Sequence, residues 1–325
     1  MADSRARQQS AYSPFPLSGD PARFGLVART LATALGEVTV YAEARRALGT
    51  RTAVVLLHGA AGSWTTWTPL LRAASESAGG SVRDPVLIDL PGWGASPLPG
   101  DRSLCTVDGY ARMIAAVLRE LGYQQWIVLG HSLGGFIGLH LAAVETDATK
   151  ALALVSPTTF AVAEASRDRA RGRRTVPAFV GLLTVMRVFA PFGRSASALL
   201  LAAGALRLLR RIVAPLFAEP SRVDESVVRA LADEVRPKAF LLAAREAARY
   251  DPLRWRHIRV PVRVVHGRRD AFVTASDDHG LANTVHDLRV TVLPDAGHFG
   301  HVESPFAVLD AFDPVLPRQH GAPRY

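Results

Sequence analysis

The sequence predicts an α/β fold: a mostly parallel central sheet flanked by helices, with a helical cap inserted into it. Short β-branched or leucine-rich runs alternate with helix-length amphipathic stretches along the chain. Strand followed by helix, repeated, requires crossover connections and a parallel sheet covered on both faces. The alternation stops after Val155 and resumes near Val260, and the stretch between reads as helical.

Residues 1–35 are read as an N-terminal extension, because the opening MADSRARQQSAYSPFPLSGD lacks the apolar run of a secretory signal. An early strand is expected near Val38–Ala42. Compact apolar runs then mark buried strands at Thr52–Leu57, Pro85–Leu90, Trp126–Leu129, Ala151–Val155, Val260–Val265 and Val290–Leu293. Between them, Thr106–Leu121, Leu133–Val144 and Thr274–Val285 carry apolar residues three and four apart, the spacing of a helix with one buried face. The core therefore comprises residues 36–156 and 257–325, and the cap residues 157–256. Within the cap, helices are expected at Val176–Arg187, Ala196–Val213, Val223–Val235 and Lys238–Ala248, punctuated by Pro177, Pro191, Pro215, Pro220 and Pro237. The apolar stretch SALLLAAGALRLLRRIVAPLFA runs for about a dozen residues before Arg207, short of the roughly 20 needed to span a bilayer. It is read as a buried or interfacial cap helix that lids an apolar pocket.

Composition narrows the function classes. With 49% hydrophobic and 21% charged residues in 325, the chain is globular. A single cysteine, Cys105, excludes an intrachain disulfide and a cysteine-rich metal site, and Cys105 is read as a bystander. A cytoplasmic location is the expectation. The formal charge of +9 lies entirely within residues 161–256, which hold 17 arginines and one lysine against nine acidic residues. The cluster Arg167, Arg169, Arg171, Arg173 and Arg174 has no aromatic interleaving and no zinc-finger motif, so it is read as a solvated basic face rather than a nucleic-acid site. Attraction of anionic substrates or peripheral contact with lipid head groups through this basic, apolar cap stays open. The sequence does not address the oligomeric state.

The chemistry begins at Gly130-His131-Ser132-Leu133-Gly134, a G-x-S-x-G pentapeptide between an apolar strand and an apolar helix. Serine is a weak nucleophile at neutral pH, so it needs an adjacent base and hydrogen-bond donors for the oxyanion it generates. A base is available downstream in LPDAGHFGHVESP, where His298 follows the Val290–Leu293 strand in a loop. An acid to orient that imidazole is available at Asp270, in HGRRD just past the Val260–Val265 strand. The order Ser, Asp, His is that of a nucleophile elbow on an α/β sheet.

From about Val38 to Val315 the chain resembles the α/β-hydrolase superfamily. Leu57-His58-Gly59-Ala60 is similar to its His-Gly oxyanion loop, and Asp89-Leu90-Pro91-Gly92-Trp93-Gly94-Ala95-Ser96 to its D-x-P-G-x-G-x-S turn. His298 with Glu303 and Pro305 is similar to its C-terminal G-H-x(4)-E-x-P signature. The resemblance implies that Ser132 attacks, His298 takes its proton and Asp270 orients His298. It further implies oxyanion donors at the backbone N–H groups of Ala60 and Leu133, and no metal or cofactor.

Rivals exist for each role. Asp295, Asp277 and Asp278 compete with Asp270, and His301 competes with His298, being otherwise a loop histidine at the pocket entrance. His58 is expected to fix loop geometry and Asp89 to tie a turn. His58, Trp64, His131 and Phe299 are candidates for contact with a small-molecule substrate, and Trp67 and Trp93 lie near the same loops. Relatives that are haloalkane dehalogenases or epoxide hydrolases generally place aspartate at the elbow, so Ser132 argues against both. Carboxylic ester hydrolysis through an acyl-enzyme leads. Carbon–carbon bond hydrolysis, lactone hydrolysis, perhydrolysis and acyl transfer use the same residues, and a non-catalytic lipid-surface or ligand-binding protein is the alternative of another class.

Overall fold

The computed structural model describes residues 12–44, 51–192 and 206–319. Its strands are β1 (Leu26–Thr33), β2 (Gly36–Glu43), β3 (Thr52–Leu57), β4 (Ser81–Val82), β5 (Pro85–Ile88), β6 (Gln125–His131), β7 (Thr149–Val155), β8 (Val262–Gly267), β9 (Leu288–Leu293) and β10 (Arg318–Gln319). Eight of them form one sheet in the order β1-β2-β5-β3-β6-β7-β8-β9, and β4 pairs with β10 apart from it. From β5 to β9 every pairing is parallel, whereas β1 and β2 form an antiparallel hairpin and β2 runs antiparallel to β5.

The central strands read as continuous apolar runs because both of their faces are buried. On β3, Ala53, Val55 and Leu57 pack into one core cluster and Val54 and Leu56 into another on the opposite face. The edge strands lack that signature. The strand β1 lies inside the stretch expected to be an N-terminal extension, and this corrects the boundary at residue 35. Of its eight residues only Leu26 is buried, so neither an apolar run nor a clean alternation marks it. β9 likewise is an edge strand with Val292 exposed, not the fully buried strand expected there. β8 starts two residues later than expected, after Pro261, whose ring nitrogen cannot donate to a ladder.

Local signals explain several helix starts. Thr106 stands outside its helix as the cap, its hydroxyl accepting the Gly109 N–H at 2.9 Å. Pro177 and Pro237 open the helices Pro177–Phe189 and Pro237–Arg249, where a missing N–H costs nothing. Of the expected helix Ala196–Val213, Leu206–Val213 is helical, and the part before Leu206 lies outside the described residues. The helix Thr68–Glu76, six of whose nine residues are buried, is not among those expected. The arginine cluster also folds, into the end of Phe160–Arg167 and the helix Arg169–Thr175, with Asp168 accepting the Ala170 and Arg171 N–H groups at 2.9 and 3.1 Å. Among the described residues no helix is long and apolar enough to cross a membrane.

Two features of this topology position the site. The chain leaves β3 toward β5 on one side and returns to β6 on the other, so a crevice opens beyond the carboxyl ends of β3 and β6. The helices between β7 and β8 have an apolar core of their own, built on Phe179, Val180, Leu183, Met186 and Phe240, and they cover that crevice.

Candidate active site

Ser132 follows the last residue of β6 and precedes the helix Leu133–Val144, with φ 52° and ψ −114°. That left-handed φ is costly for a residue with a side chain, and it persists only where the surroundings hold it. They do so through close backbone approach. A Cβ on Gly134 would stand 2.2 Å from the Leu57 carbonyl oxygen, and one on Gly59 would stand 2.9 Å from the Ser132 Cβ. Only glycine at positions 134 and 59 lets the β3 loop touch the turn, and a Cβ on Gly130 would stand 2.7 Å from the Gly134 carbonyl oxygen. The Ser132 N–H donates to the Val155 carbonyl at 3.1 Å, anchoring the turn to β7.

Asp270 and His298 come from the loops after β8 and β9, at the same end of the sheet. The His298 Nδ1 lies 3.0 and 3.1 Å from the two Asp270 carboxylate oxygens, and the Asp270 side chain is wholly buried. Asp270 also accepts the backbone N–H groups of Phe272 at 2.8 Å and Val273 at 3.2 Å. Burial alone would raise this carboxyl, but His298 and the Phe272 N–H outweigh it and hold it below the usual carboxylate range. The carboxylate is therefore ionised at neutral pH and fixes a proton on Nδ1, leaving the far nitrogen of His298 free to accept one. Of the three rival aspartates, Asp277 accepts from Thr159, Ala161 and Thr274, Asp278 pairs with His266 at 3.1 Å, and Asp295 is exposed.

Ser132, His298, Ala60 and Leu133 line one cavity of about 420 Å³. Leu133 is the first residue of its helix, so its N–H has no acceptor within that helix. The cap supplies most of the remaining wall, including Phe179, Leu182, Met186, Leu216 and Phe240, and the described lining contains no Asp, Glu, Lys or Arg. Phe299 lines this cavity as well.

The other expected substrate contacts are corrected. His58 is fully buried, its Nδ1–H donating to the Gly59 carbonyl at 2.8 Å and its Nε2 accepting the Leu90 N–H at 2.9 Å. It fixes loop geometry, and burial lowers its pKa to about 4, so it stays neutral. Trp64 stacks on Tyr41 at 4.5 Å and donates its backbone N–H to Asp89, away from the cavity. His131 is buried behind the elbow, its Nε2 bonded to the His298 carbonyl oxygen at 3.0 Å, so it braces His298 from behind. His301 is not at the entrance: it is fully buried against Trp67, His131 and Phe299, and neither ring nitrogen has a hydrogen-bond partner among the described residues. Trp67 and Trp93 belong to the core. Cys105 is buried too, although its sequence neighbours are polar.

Asp89 does tie its turn, accepting the Trp64 and Ala95 N–H groups at 2.8 and 2.9 Å, and burial raises its carboxyl to about 6. Missed in the sequence were the cap segment at Leu216, whose carbonyl accepts the His298 N–H at 2.8 Å, and Phe272, whose ring meets that of His298 at 4.7 Å. No local pattern announces contacts between segments so far apart in the chain.

A serine raised on a strand-to-helix turn, facing a cap-covered cavity at the switch point of a parallel sheet, places this molecule among enzymes built for hydrolysis at that crevice. The chain belongs to the alpha/beta hydrolase fold family, whose model matches residues 52–305. It is similar to an esterase of Mycobacterium tuberculosis, 27% identical over 269 residues that make up 82% of this chain and 84% of the relative. It is also similar to a probable lysophospholipase of Arabidopsis thaliana, 26% identical over 269 residues, which are 75% of this chain and 54% of that longer protein. Among solved structures, a bacterial membrane phospholipase A superposes with a TM-score of 0.66 at 17% identity, covering 96% of this chain and 89% of the other, a likeness of fold.

Proposed function

We propose that this enzyme is a serine hydrolase that cleaves carboxylic esters of largely apolar small molecules. The observation that carries the reading is the buried Asp270–His298 pair facing the same apolar cavity as Ser132. In this reading the Ser132 hydroxyl attacks the ester carbonyl as His298 takes its proton. The Ala60 and Leu133 amides receive the oxyanion, and the leaving alcohol departs with the proton from His298. Water, deprotonated by His298, then releases the acid and restores Ser132. An ionised substrate group buried in this cavity would find no counter-charge among the described lining residues, which favours neutral esters over carboxylate-bearing substrates.

A fluorophosphonate probe and a pair of esters test this. The wild type is expected to take up one label and to hydrolyse a neutral medium-chain p-nitrophenyl ester at least about tenfold faster than its ω-carboxylate counterpart. Ser132→Ala is expected to lose both label and turnover. Equal labelling of the two proteins would sink the reading.

The cap supports contact with lipid as well. Val185 and Ile212 line the cavity yet are 36% and 42% exposed, so they mark its mouth, and Arg187, Val188, Phe192 and Arg211, close to them in the chain, are exposed as well. An apolar rim studded with cations suits an anionic lipid surface. Co-sedimentation with vesicles containing anionic phospholipid, but not with neutral vesicles, is the expected result, and Arg187→Glu with Arg211→Glu is expected to abolish it. Failure to sediment with either vesicle rejects this contact.

A further inference from the structure

One buried carboxylate gathers three distant parts of the chain. Glu303 is wholly buried, and its Oε2 accepts the Tyr12 hydroxyl at 2.7 Å, the Ala218 N–H at 2.8 Å and the Gly297 N–H at 2.9 Å. Its Oε1 accepts the Phe299 N–H at 3.0 Å. The two last donors flank His298. Ala218 belongs to the cap segment that meets the loops after β8 and β9, and Tyr12 to the N-terminal strap, which the family match does not include.

The cap segment lies directly on the His298 loop. A Cβ on Gly297 would stand 2.7 Å from the Leu216 carbonyl oxygen and 2.9 Å from the Ala218 nitrogen, and Phe217 stacks on Phe299 at 5.2 Å. The strap closes the unit from outside. The Tyr12 oxygen accepts the Glu219 N–H at 2.9 Å while donating to Glu303, and the Ser13 N–H donates to the Glu303 carbonyl at 2.7 Å. Leu216 thus lines the cavity with its side chain and holds the His298 backbone with its carbonyl.

We propose that Glu303 and Tyr12 are positioning residues for the base, locking the His298 loop and the cap segment 216–219 into one unit, so that closure of the cap and alignment of His298 are set together. This rests on His298 acting as the base. A buried carboxylate with four donors on it holds them tightly, and each lost donor removes one tie between the three segments. Misplacement of a catalytic group by less than 1 Å is enough to slow the chemical step strongly.

The test uses the full chain and a neutral p-nitrophenyl ester, with fluorophosphonate labelling rates measured in parallel. Tyr12→Phe removes only one oxygen and is expected to lower kcat about tenfold with KM within about twofold, and to slow labelling to the same degree. Glu303→Gln is expected to do more, and the low-field proton resonance of the His298–Asp270 hydrogen bond is expected to shift in both variants. A merely structural role would lower Tm and leave kcat per labelled site and that resonance unchanged, which overturns the proposal. An unlabelled wild type would instead reject the serine-hydrolase reading on which it rests.

Discussion

Asp270→Asn is expected to lower kcat/KM by about 10⁴-fold while the protein stays folded. The amide is nearly isosteric with the carboxylate, and its oxygen can still accept the Phe272 and Val273 N–H groups that seat the side chain. Its NH₂ then takes the place of Oδ2, a donor where an acceptor stood 3.1 Å from the His298 Nδ1. The imidazole responds by moving its proton to the far nitrogen, the one that accepts from Ser132 in the proposed mechanism. Steady-state rates with a neutral ester, alongside an unfolding midpoint close to wild type, provide the check. A loss of less than about tenfold would remove Asp270 from the orienting role and reopen the search among the other carboxylates.

His301→Phe is expected to stabilise the protein, and by more in acid than at neutral pH. The buried ring has two nitrogens without partners among the described residues, and burial together with nearby His298 lowers its pKa to about 3. In the unfolded chain the same group titrates near 6.5, so between those values the unfolded state binds a proton that the folded state does not. The stability of the wild type is therefore full above pH 6.5 and declines by about 1.4 kcal/mol per pH unit below it on account of this residue. Phenylalanine keeps a ring against Trp67 and His131, at 4.5 Å in each case, and has no proton to bind. Urea unfolding of both proteins at pH 7 and pH 4.5 is expected to show the advantage of the variant growing by about 3 kcal/mol. Shifted groups whose causes do not include His301, such as His58 and Asp89, cancel in the comparison. A gap that does not change with pH would show that His301 carries no such linkage.

Much of this architecture is legible along the chain because its causes are local. Val54 and Leu56 face one side of β3 and Val55 and Leu57 the other, and a strand buried on both faces leaves an apolar run that can be counted. The Ser132 turn is legible for a similar reason: its geometry admits only small residues around the serine, so the glycines are written beside it. Thr106, Pro177 and Pro237 mark helix starts through backbone groups no more than three residues away.

What failed to show is equally consistent. β1 was hidden because an edge strand with a single buried residue has no period to detect. His58, Trp64 and His131 stand close to the motif in sequence, yet each side chain turns into the core or the loop behind it rather than into the cavity. His301, three residues from His298, is buried beside Trp67.

The sequence by itself determined the parallel centre of the sheet, the cap insertion and the chain order of Ser132, Asp270 and His298, since each is written in local runs and short motifs. Only the tertiary structure decided which loop residues face the cavity, that its described lining is without charge, and that Tyr12 and Ala218 close on Glu303 beside His298. Those contacts join segments separated by scores or hundreds of residues, and a hydrogen bond across such a distance leaves no periodicity in either segment for the sequence to display.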